Sequence, residues 1–330
     1  MGVDSVGQKH FCDLCQNHVS CTISLSDISD NTRVMDRKFD IMSCSVCGHK
    51  FIYPFPSGPN EIDGYYARSY YAHVPHNKLL SPKQKLKEML RGEYYRRQFN
   101  NMKGSLFGKI VYTFLSKTIN EPPGIYNGRL LDVGCGNGDY IETIAQYGWA
   151  VSGLEPNEQA VKCCIENGLD VKMGSAEKIL WPDATFDVVR LWNVLEHTFS
   201  PHVVLNEIRR VLKDKGFLLI HVPNYYSADC DQFKQYWPNL EVPRHLHHFT
   251  HETLLKYLDK ADFLLVRDCY PGMLMSNLRA TKDLFKAANI SAYLFWSKAL
   301  AVVFQKSIYR IALGSYKKDV GITILAQVRK

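Results

Sequence analysis

Four cysteines near the start of the chain have the spacing of a metal site. The segments FCDLC and MSCSVCG place Cys12 and Cys15, then Cys44 and Cys47, as two pairs with 28 residues between them. Two such pairs in a reducing compartment supply four thiolates for tetrahedral Zn(II), and four thiolates leave no position for water. The sequence therefore predicts a structural zinc site. Three nearby side chains could replace a member of the set: His18, Cys21 and His49.

A second group of chemically capable side chains is rich in histidine. The stretch PRHLHHFT, residues 243–250, contains His245, His247 and His248, and His251 follows it. Imidazoles bind metals, transfer protons or tie a loop to nearby carbonyl groups. Composition alone does not separate these roles, so their meaning depends on the elements that position them.

A glycine-rich turn lies between two expected strands. The apolar run 129–133 predicts a buried parallel strand, and Gly134, Gly136 and Gly138 follow it before a helix that begins near Asp139. Such a turn leaves the backbone bare for a ligand. The next predicted strand, 150–154, leads into Glu155, whose carboxylate could accept both ribose hydroxyls of a nucleoside.

This pattern, G-x-G-x-G preceded by Asp132, resembles the first two motifs of class I S-adenosylmethionine-dependent methyltransferases. GSAEKIL and FDVVRLWNVLEHTFSPHVVLNEIRRVLKDKGFLLIHVPN follow in the family's order: the adenine wall, then strand four, a Glu-His loop, a helix and strand five. The resemblance implies S-adenosylmethionine as cofactor, bound by Asp132, Gly134, Cys135, Gly136, Glu155, Pro156, Ala176, Glu177 and Asn193.

The combination of motifs resembles one subfamily in particular. Cysteine knuckles, a YY…YY group (Tyr65, Tyr66, Tyr70 and Tyr71) and P-R-H-L-x-H-F-T look like methyltransferases with an N-terminal zinc ribbon. That subfamily is common in polysaccharide and sugar-modification clusters and includes sugar C-methyltransferases. The similarity covers nearly the whole chain and is loosest at 78–120 and 273–315, where no motif occurs.

The side chains that could act on the acceptor are His197, His245, Glu196 and Tyr70. Methyl transfer needs positioning above all, and a base only where the acceptor retains its proton. Three roles remain open for the histidines: catalytic or orienting, structural, and metal-binding. The metal role is weakened because Asn193 stands where Glu-x-x-Glu-His sites have a carboxylate. His247 and His248 are expected to hold the loop.

The predicted fold class is α/β: a doubly wound, seven-stranded Rossmann-like core with an N-terminal zinc ribbon and helical insertions. We expect a ribbon at 1–58, a basic helical connector or lid at 59–125, and the core at 126–330 with insertions at 223–250 and 270–318. Core strands are expected near 129–133, 150–154, 170–172, 186–191, 216–222, 263–269 and 319–327. Thr250 should cap a helix with only half of a capping box, because Thr253 is at N3.

Charge and composition suggest the partners. The net charge of +7 is concentrated between Lys78 and Lys117, where ten basic residues face two acidic ones. With Tyr225, Tyr226, Tyr236 and Trp237 expected to rim the cleft, this favours an anionic acceptor such as a nucleotide-linked or phosphorylated sugar, methylated on carbon or on oxygen.

Other function classes remain as alternatives. One is O-methylation of a lipid or phenol, and another is a zinc-ribbon docking protein with a non-catalytic core. No nucleic-acid module occurs. The apolar stretch AYLFWSKALAVVFQ is short and broken by Lys298, so we expect a cytoplasmic protein without a transmembrane segment. Residues 270–318 are expected either to cover the substrate pocket or to form a homodimer contact.

Overall fold

The computed structural model describes residues 9–30, 37–65, 92, 121–125, 127–269, 282–283, 285–286, 290–313 and 318–329. Tyr70 and, apart from Gly92, the basic segment 78–117 lie outside the described residues. The roles predicted for them therefore stay predictions.

A small antiparallel sheet is built from the N-terminal part of the chain and one strand from far downstream. Its strands are β1 (Lys9–Cys12), β2 (Asn17–Ser29), β3 (Lys38–Cys44), β4 (Lys50–Tyr53) and β10 (His247–His248). They are ordered β1-β2-β3-β4-β10. The predicted ribbon is therefore completed by the histidine segment, which pairs with β4.

The second sheet has seven strands and confirms the predicted fold class. Its strands are β5 (Arg129–Val133), β6 (Ala150–Glu155), β7 (Val171–Met173), β8 (Phe186–Trp192), β9 (Leu212–Pro223), β11 (Phe263–Cys269) and β12 (Gly321–Val328). The order is β11-β12-β9-β8-β5-β6-β7, with β12 antiparallel to both of its neighbours. The carboxyl ends of the parallel strands β5, β6 and β8 thus meet at one edge, where ligands bind in open α/β sheets.

The helices are α1 (Pro59–Asp63), α2 (Asp139–Ala145), α3 (Glu158–Glu166), α4 (Pro201–Val211), α5 (Ala228–Phe233), α6 (His251–Lys260) and α7 (Ala292–Leu313). Helix α4 begins at Pro201 after Ser200, whose hydroxyl accepts a hydrogen bond from the Val203 N–H. At the start of α6 the capping box is complete, because the Thr253 hydroxyl also accepts from the Thr250 N–H. The expectation of a half box was wrong: threonine performs the part usually taken by glutamate.

The two sheets share one hydrophobic core. A single buried cluster contains Leu14 and Phe51 of the small sheet together with Leu195, Phe249 and Tyr257 of the larger part. Burial of apolar surface contributes roughly 25 cal/mol per Å², so this shared cluster stabilises both sheets at once. The predicted ribbon is distinct along the chain but is packed into the core.

The two predicted insertions pack against each other. Helix α7, from the second insertion, lies on α5, from the first. Between them Lys306 Nζ is 2.5 Å from Asp229 Oδ2, and each side chain is only 1% exposed. Burying either charge alone would be strongly unfavourable, so the pair fixes how the helices align. None of the helices in the described part of the chain has the length and hydropathy needed to cross a bilayer.

A partly buried histidine connects three strands of the large sheet. The His221 ring on β9 stacks on Trp192 of β8, with centroids 4.3 Å apart, and its Nδ1 lies 2.7 Å from the Thr323 hydroxyl on β12. Burial lowers the pKa of His221 to about 3, from 6.5. Between about pH 3 and pH 6.5, the folded protein therefore keeps this imidazole neutral, whereas an unfolded chain would protonate it.

This shift predicts how stability depends on pH. Because the folded pKa is the lower one, acid favours the unfolded state, so the stability attributable to His221 is lost as pH falls from 6.5 towards 3. The free energies of unfolding of wild type and His221→Gln can be measured in urea between pH 7 and pH 4. As pH falls, wild type should lose stability relative to the variant by up to about 1.4 kcal/mol per pH unit. Parallel stability curves would contradict this account.

Candidate functional site

The four predicted zinc ligands lie together. The Sγ atoms of Cys12 and Cys47 are 3.6 Å apart, those of Cys15 and Cys44 are 3.7 Å apart, and all four lie within 4.8 Å of one another. Zn–S bonds of about 2.3 Å in a tetrahedron require sulfurs about 3.8 Å apart. The arrangement therefore fits a tetrahedral zinc ion.

The surrounding backbone supports this arrangement, and the substitute ligands lie elsewhere. The Gln16 N–H donates to the Cys12 carbonyl and the Gly48 N–H to the Cys44 carbonyl, which closes the two knuckles. The hydrogen bond between the Cys12 and Cys47 thiols lowers the pKa of Cys47 to about 5 and raises that of Cys12. Of the substitute ligands, Cys21 donates its thiol to the Val19 carbonyl.

The glycine-rich turn follows β5 as predicted and is packed against the Glu-His loop. The backbone N–H groups of Gly134 and Cys135 both donate to the Leu154 carbonyl. Gly134 has φ +69°, and a Cβ added there would lie 2.4 Å from Cγ2 of Val194. A glycine is thus required by conformation and by space, and the turn is held in direct contact with the residue after Asn193.

Glu155 lies beside this turn at the end of β6. One carboxylate oxygen accepts from the Gly136 N–H and the other from the Asn157 N–H, both at 2.9 Å. Burial raises the pKa of Glu155, and these two hydrogen bonds oppose the rise. These contacts hold the carboxylate at the end of β6, beside the glycine turn.

Asp132 has surroundings that the sequence did not predict. It is 1% exposed, and its Oδ1 accepts a hydrogen bond from Arg190 Nη1 at 2.8 Å. The guanidinium lies over the rings of Tyr140 and Trp192. Asp132 therefore faces a neighbouring strand, and its contribution to cofactor binding would be to position the strand end from which the glycine turn departs.

The other residues predicted to bind cofactor line the same edge in different ways. Pro156 and Asn193 are exposed, and Ala176 is 9% exposed. The Cys135 side chain packs into a buried cluster that includes Ile141. Glu177 accepts a hydrogen bond from the Phe199 N–H at 3.0 Å, so it ties the predicted adenine wall to the Glu-His loop.

Glu196, His197 and His245 form one cluster. The 3-10 helix Leu195–His197 follows β8, and the rings of His197 and His245 lie 4.5 Å apart in an edge-to-face arrangement. Nδ1 of His197 is 3.0 Å from the Arg244 carbonyl oxygen, and Nδ1 of His245 is 2.8 Å from that of Asn239. Burial lowers the pKa of both imidazoles to about 3, so both are neutral at neutral pH.

The remaining histidines of PRHLHHFT hold the segment to the small sheet. His247 and His248 form β10, opposite Phe51 and Lys50 of β4. His247 Nδ1 is 2.9 Å from Nε2 of His49, so His49 is committed to this contact and is no zinc ligand. The histidines of this segment therefore have two roles. His245 belongs to the cluster with Glu196, whereas His247 and His248 pair with β4 of the small sheet.

The expected aromatic rim is wrong for Trp237, whereas Tyr226 is 50% exposed and Tyr225 and Tyr236 are partly exposed. Trp237 is only 1% exposed and belongs to a buried cluster. The Tyr225 hydroxyl hydrogen-bonds with Ser24 of β2, and Tyr236 packs edge-to-face on Phe285. Residues 242–249 are all buried, so the insertion is packed between the sheets. Packing therefore removes Trp237 from the expected rim and leaves Tyr226 exposed.

Sequence reasoning missed three residues that position the site. Arg190 pairs with Asp132, the Leu246 N–H donates to the Glu196 carbonyl, and Glu241 Oε2 lies 3.8 Å from Nε2 of His245. Two signals were available: Arg190 is the one basic residue in the apolar strand FDVVRLW, and Glu241 precedes His245 by four residues. Leu246 offers no such signal, because its role depends on its backbone.

The contact between Gly134 and Val194 can be tested by substitution. Gly134→Ala should lower the free energy of unfolding by more than Gly148→Ala, a glycine with φ +85° that has nothing within 4 Å of an added Cβ. The second change introduces only backbone strain, about 1–2 kcal/mol. Adding Val194→Ala to Gly134→Ala should recover part of the loss. Equal losses in urea unfolding would show that the contact is unimportant.

Comparison with known proteins shows which family this chain matches. The model of the family described as methyltransferase domain matches residues 101–267, half of the chain. The ubiquinone biosynthesis O-methyltransferase of Maricaulis maris (strain MCS10) is 36% identical over 134 residues, which are 37% of this chain and 53% of that protein. The protein of that name from Colwellia psychrerythraea (strain 34H / ATCC BAA-681) is 32% identical over 113 residues, 32% of this chain and 46% of that protein.

Solved structures are similar at lower identity. The [4+2]-cyclase SpnF matches with a TM-score of 0.44 and 18% identity, covering 76% of this chain and 96% of that one. A putative sarcosine dimethylglycine methyltransferase from Galdieria sulphuraria matches with a TM-score of 0.44 and 15% identity, covering 67% and 84%. The chain spans about half the length of the curated relatives it matches. The family match over half its length shows that the chain belongs to the methyltransferase domain family.

Proposed function

We propose that this protein transfers the methyl group of S-adenosylmethionine to a hydroxyl group of a small-molecule acceptor. The observation that carries the proposal is the packing of the glycine turn against the Glu-His loop, at Gly134 and Val194. It brings a nucleoside-binding edge next to a buried cluster of one carboxylate and two imidazoles. Methyl transfer depends on such proximity between donor and acceptor.

The cofactor fits the residues at this edge. The glycine turn has a bare backbone, and the Glu155 carboxylate lies beside it, where a ribose hydroxyl would be recognised. Ala176, with Glu177 holding its loop to Phe199, would border the adenine. S-adenosylmethionine supplies an electrophilic methyl group on a sulfonium.

The acceptor would be oriented by His197 and His245. Both are neutral, because burial lowers the pKa of each to about 3. General bases work best with pKa values near the operating pH, so these imidazoles are suited to positioning the acceptor rather than to taking its proton. During transfer the acceptor oxygen forms a bond to the methyl carbon, the carbon–sulfur bond breaks, and the hydroxyl proton passes to solvent.

The finer identity of the acceptor is a proposal from the sequence. An anionic sugar derivative is supported by the motif resemblance and by the basic segment 78–117, whose net charge is +8. Of the aromatic side chains expected to rim the cleft, Trp237 is buried and Tyr226 is exposed. Two relatives bear the name ubiquinone biosynthesis O-methyltransferase, which supports oxygen as the methylated atom and keeps a phenolic acceptor in competition. A screen of nucleotide sugars and catechols with labelled cofactor separates the two classes.

The ribbon is proposed to bind structural zinc and to support the acceptor side of the site. Strand β4 bonds to β10, and the Asp13 carboxylate accepts hydrogen bonds from the Ser200 hydroxyl and the His202 N–H at the start of α4. These contacts are within the chain, which argues against the docking-protein alternative. Free thiols suit a reducing compartment, which supports the proposed cytoplasmic location.

Cofactor binding provides the first test. Calorimetry should detect binding of S-adenosylmethionine or its demethylated product, and Glu155→Gln should weaken it about 10- to 100-fold, because hydrogen bonds to a charged group contribute roughly 1.5–3 kcal/mol. Glu158→Gln, which changes an exposed glutamate three residues away, is the matched control and should bind normally. Wild-type protein that binds neither compound at millimolar concentration would end the proposal.

Zinc content provides the second test. After exposure to a weak chelator, elemental analysis should find one zinc ion per chain in wild type and none in Cys44→Ser, with a large loss of thermal stability. Cys21→Ser is the control, because Cys21 is also buried and lies directly across from Cys44 in the β2–β3 register. Equal zinc in both variants would contradict the assigned ligands.

A further inference from the structure

The cluster of Glu196, His197 and His245 has the composition of a second metal site. One ligand atom from each residue can be chosen so that all three lie within 4.8 Å of one another. The donors are nitrogen and oxygen, in contrast to the four sulfurs of the ribbon. Two imidazoles and a carboxylate are the protein ligands of many catalytic zinc sites and leave a coordination position open.

The protonation of the two imidazoles is fixed by their backbone partners. A carbonyl oxygen only accepts hydrogen bonds, so Nδ1 of His197 donates to Arg244 and Nδ1 of His245 donates to Asn239. In a neutral imidazole the other nitrogen then carries a lone pair. A metal-binding histidine commonly donates its second nitrogen to a carbonyl in this way, which also fixes the ring orientation.

Glu196 provides the independent observation. Its side chain is 1% exposed, and neither carboxylate oxygen has a hydrogen-bond partner among the described residues. Buried polar groups are nearly always satisfied, so a carboxylate held in this position needs a cation or another ligand.

The Arg244 guanidinium, next to His245 in the chain, is paired with a different carboxylate. Arg244 Nη2 lies 3.1 Å from Glu241 Oε2. That oxygen is also 3.8 Å from Nε2 of His245. Glu241 therefore places a carboxylate beside the cluster. Asn193, three residues before Glu196, offers no carboxylate of its own.

We propose that Glu196, His197 and His245 bind one divalent first-row transition-metal ion, distinct from the ribbon zinc. Borderline metals such as Zn(II) or Co(II) suit imidazole with carboxylate. His197 is partly exposed, so the open coordination position is on its side. There the metal would bind an acceptor oxygen; this last point rests on the proposed function, whereas metal binding itself does not.

Cobalt titration tests the site without relying on turnover. Full-length protein with zinc-loaded ribbon is titrated with Co(II) and followed by visible absorption and calorimetry. We expect one saturable equivalent whose spectrum lacks thiolate charge-transfer bands. Glu196→Gln, which keeps the shape of the side chain, should weaken binding at least about tenfold, since even outer partners of a metal site cost that much. His245→Gln should do the same, which guards against a folding defect in one variant.

The matched control is His251→Ala. This histidine follows PRHLHHFT directly but bonds to Asp268, away from the cluster, so cobalt binding should be unchanged. The inference is overturned if no equivalent binds beyond the ribbon, or if folded Glu196→Gln and His245→Gln bind cobalt as wild type does. Calorimetry with S-adenosylmethionine on the same samples separates this inference from the proposed function. A protein that binds the cofactor but no cobalt at this cluster contradicts the metal site alone.

Discussion

The backbone of Leu246 connects the two halves of the molecule. Its N–H donates to the Glu196 carbonyl in the loop after β8, and its carbonyl accepts from the Ile52 N–H in the small sheet. Leu246 is fully buried, and breaking a buried backbone hydrogen bond leaves polar groups without water to replace it. The acceptor side of the proposed site therefore depends on the ribbon, whose shape in turn depends on its cysteines.

A second contact joins this acceptor side to the cofactor side. Val194, two residues before Glu196, occupies the space above Gly134 that any larger residue would need. Packed interiors do not deform continuously, so a shift of the Glu-His loop would be felt at the glycine turn. The short distance along the chain between Val194 and Glu196 makes the two binding regions one structural unit.

Two other buried carboxylates among the described residues are paired with cations. Asp132 is bonded to Arg190, and Lys306 is bonded to Asp229 inside the contact between α5 and α7. Both pairs follow the rule that buried ions need an opposite charge. Glu196 differs in having no hydrogen-bond partner for either oxygen among the described residues, which is why its neighbourhood carries the argument for a cation.

The sequence alone determined the class of fold, the core strands and the cysteine cluster, because hydrophobic periodicity and ligand spacing are local properties. It also brought Glu196, His197 and His245 to one edge through strand order. Only the tertiary structure decided which imidazoles of PRHLHHFT face the site, that Trp237 is buried, and that Leu246 bridges two sheets. These depend on pairing between residues about 200 positions apart, such as His247 with Phe51, and non-local backbone hydrogen bonds leave no mark in side-chain pattern.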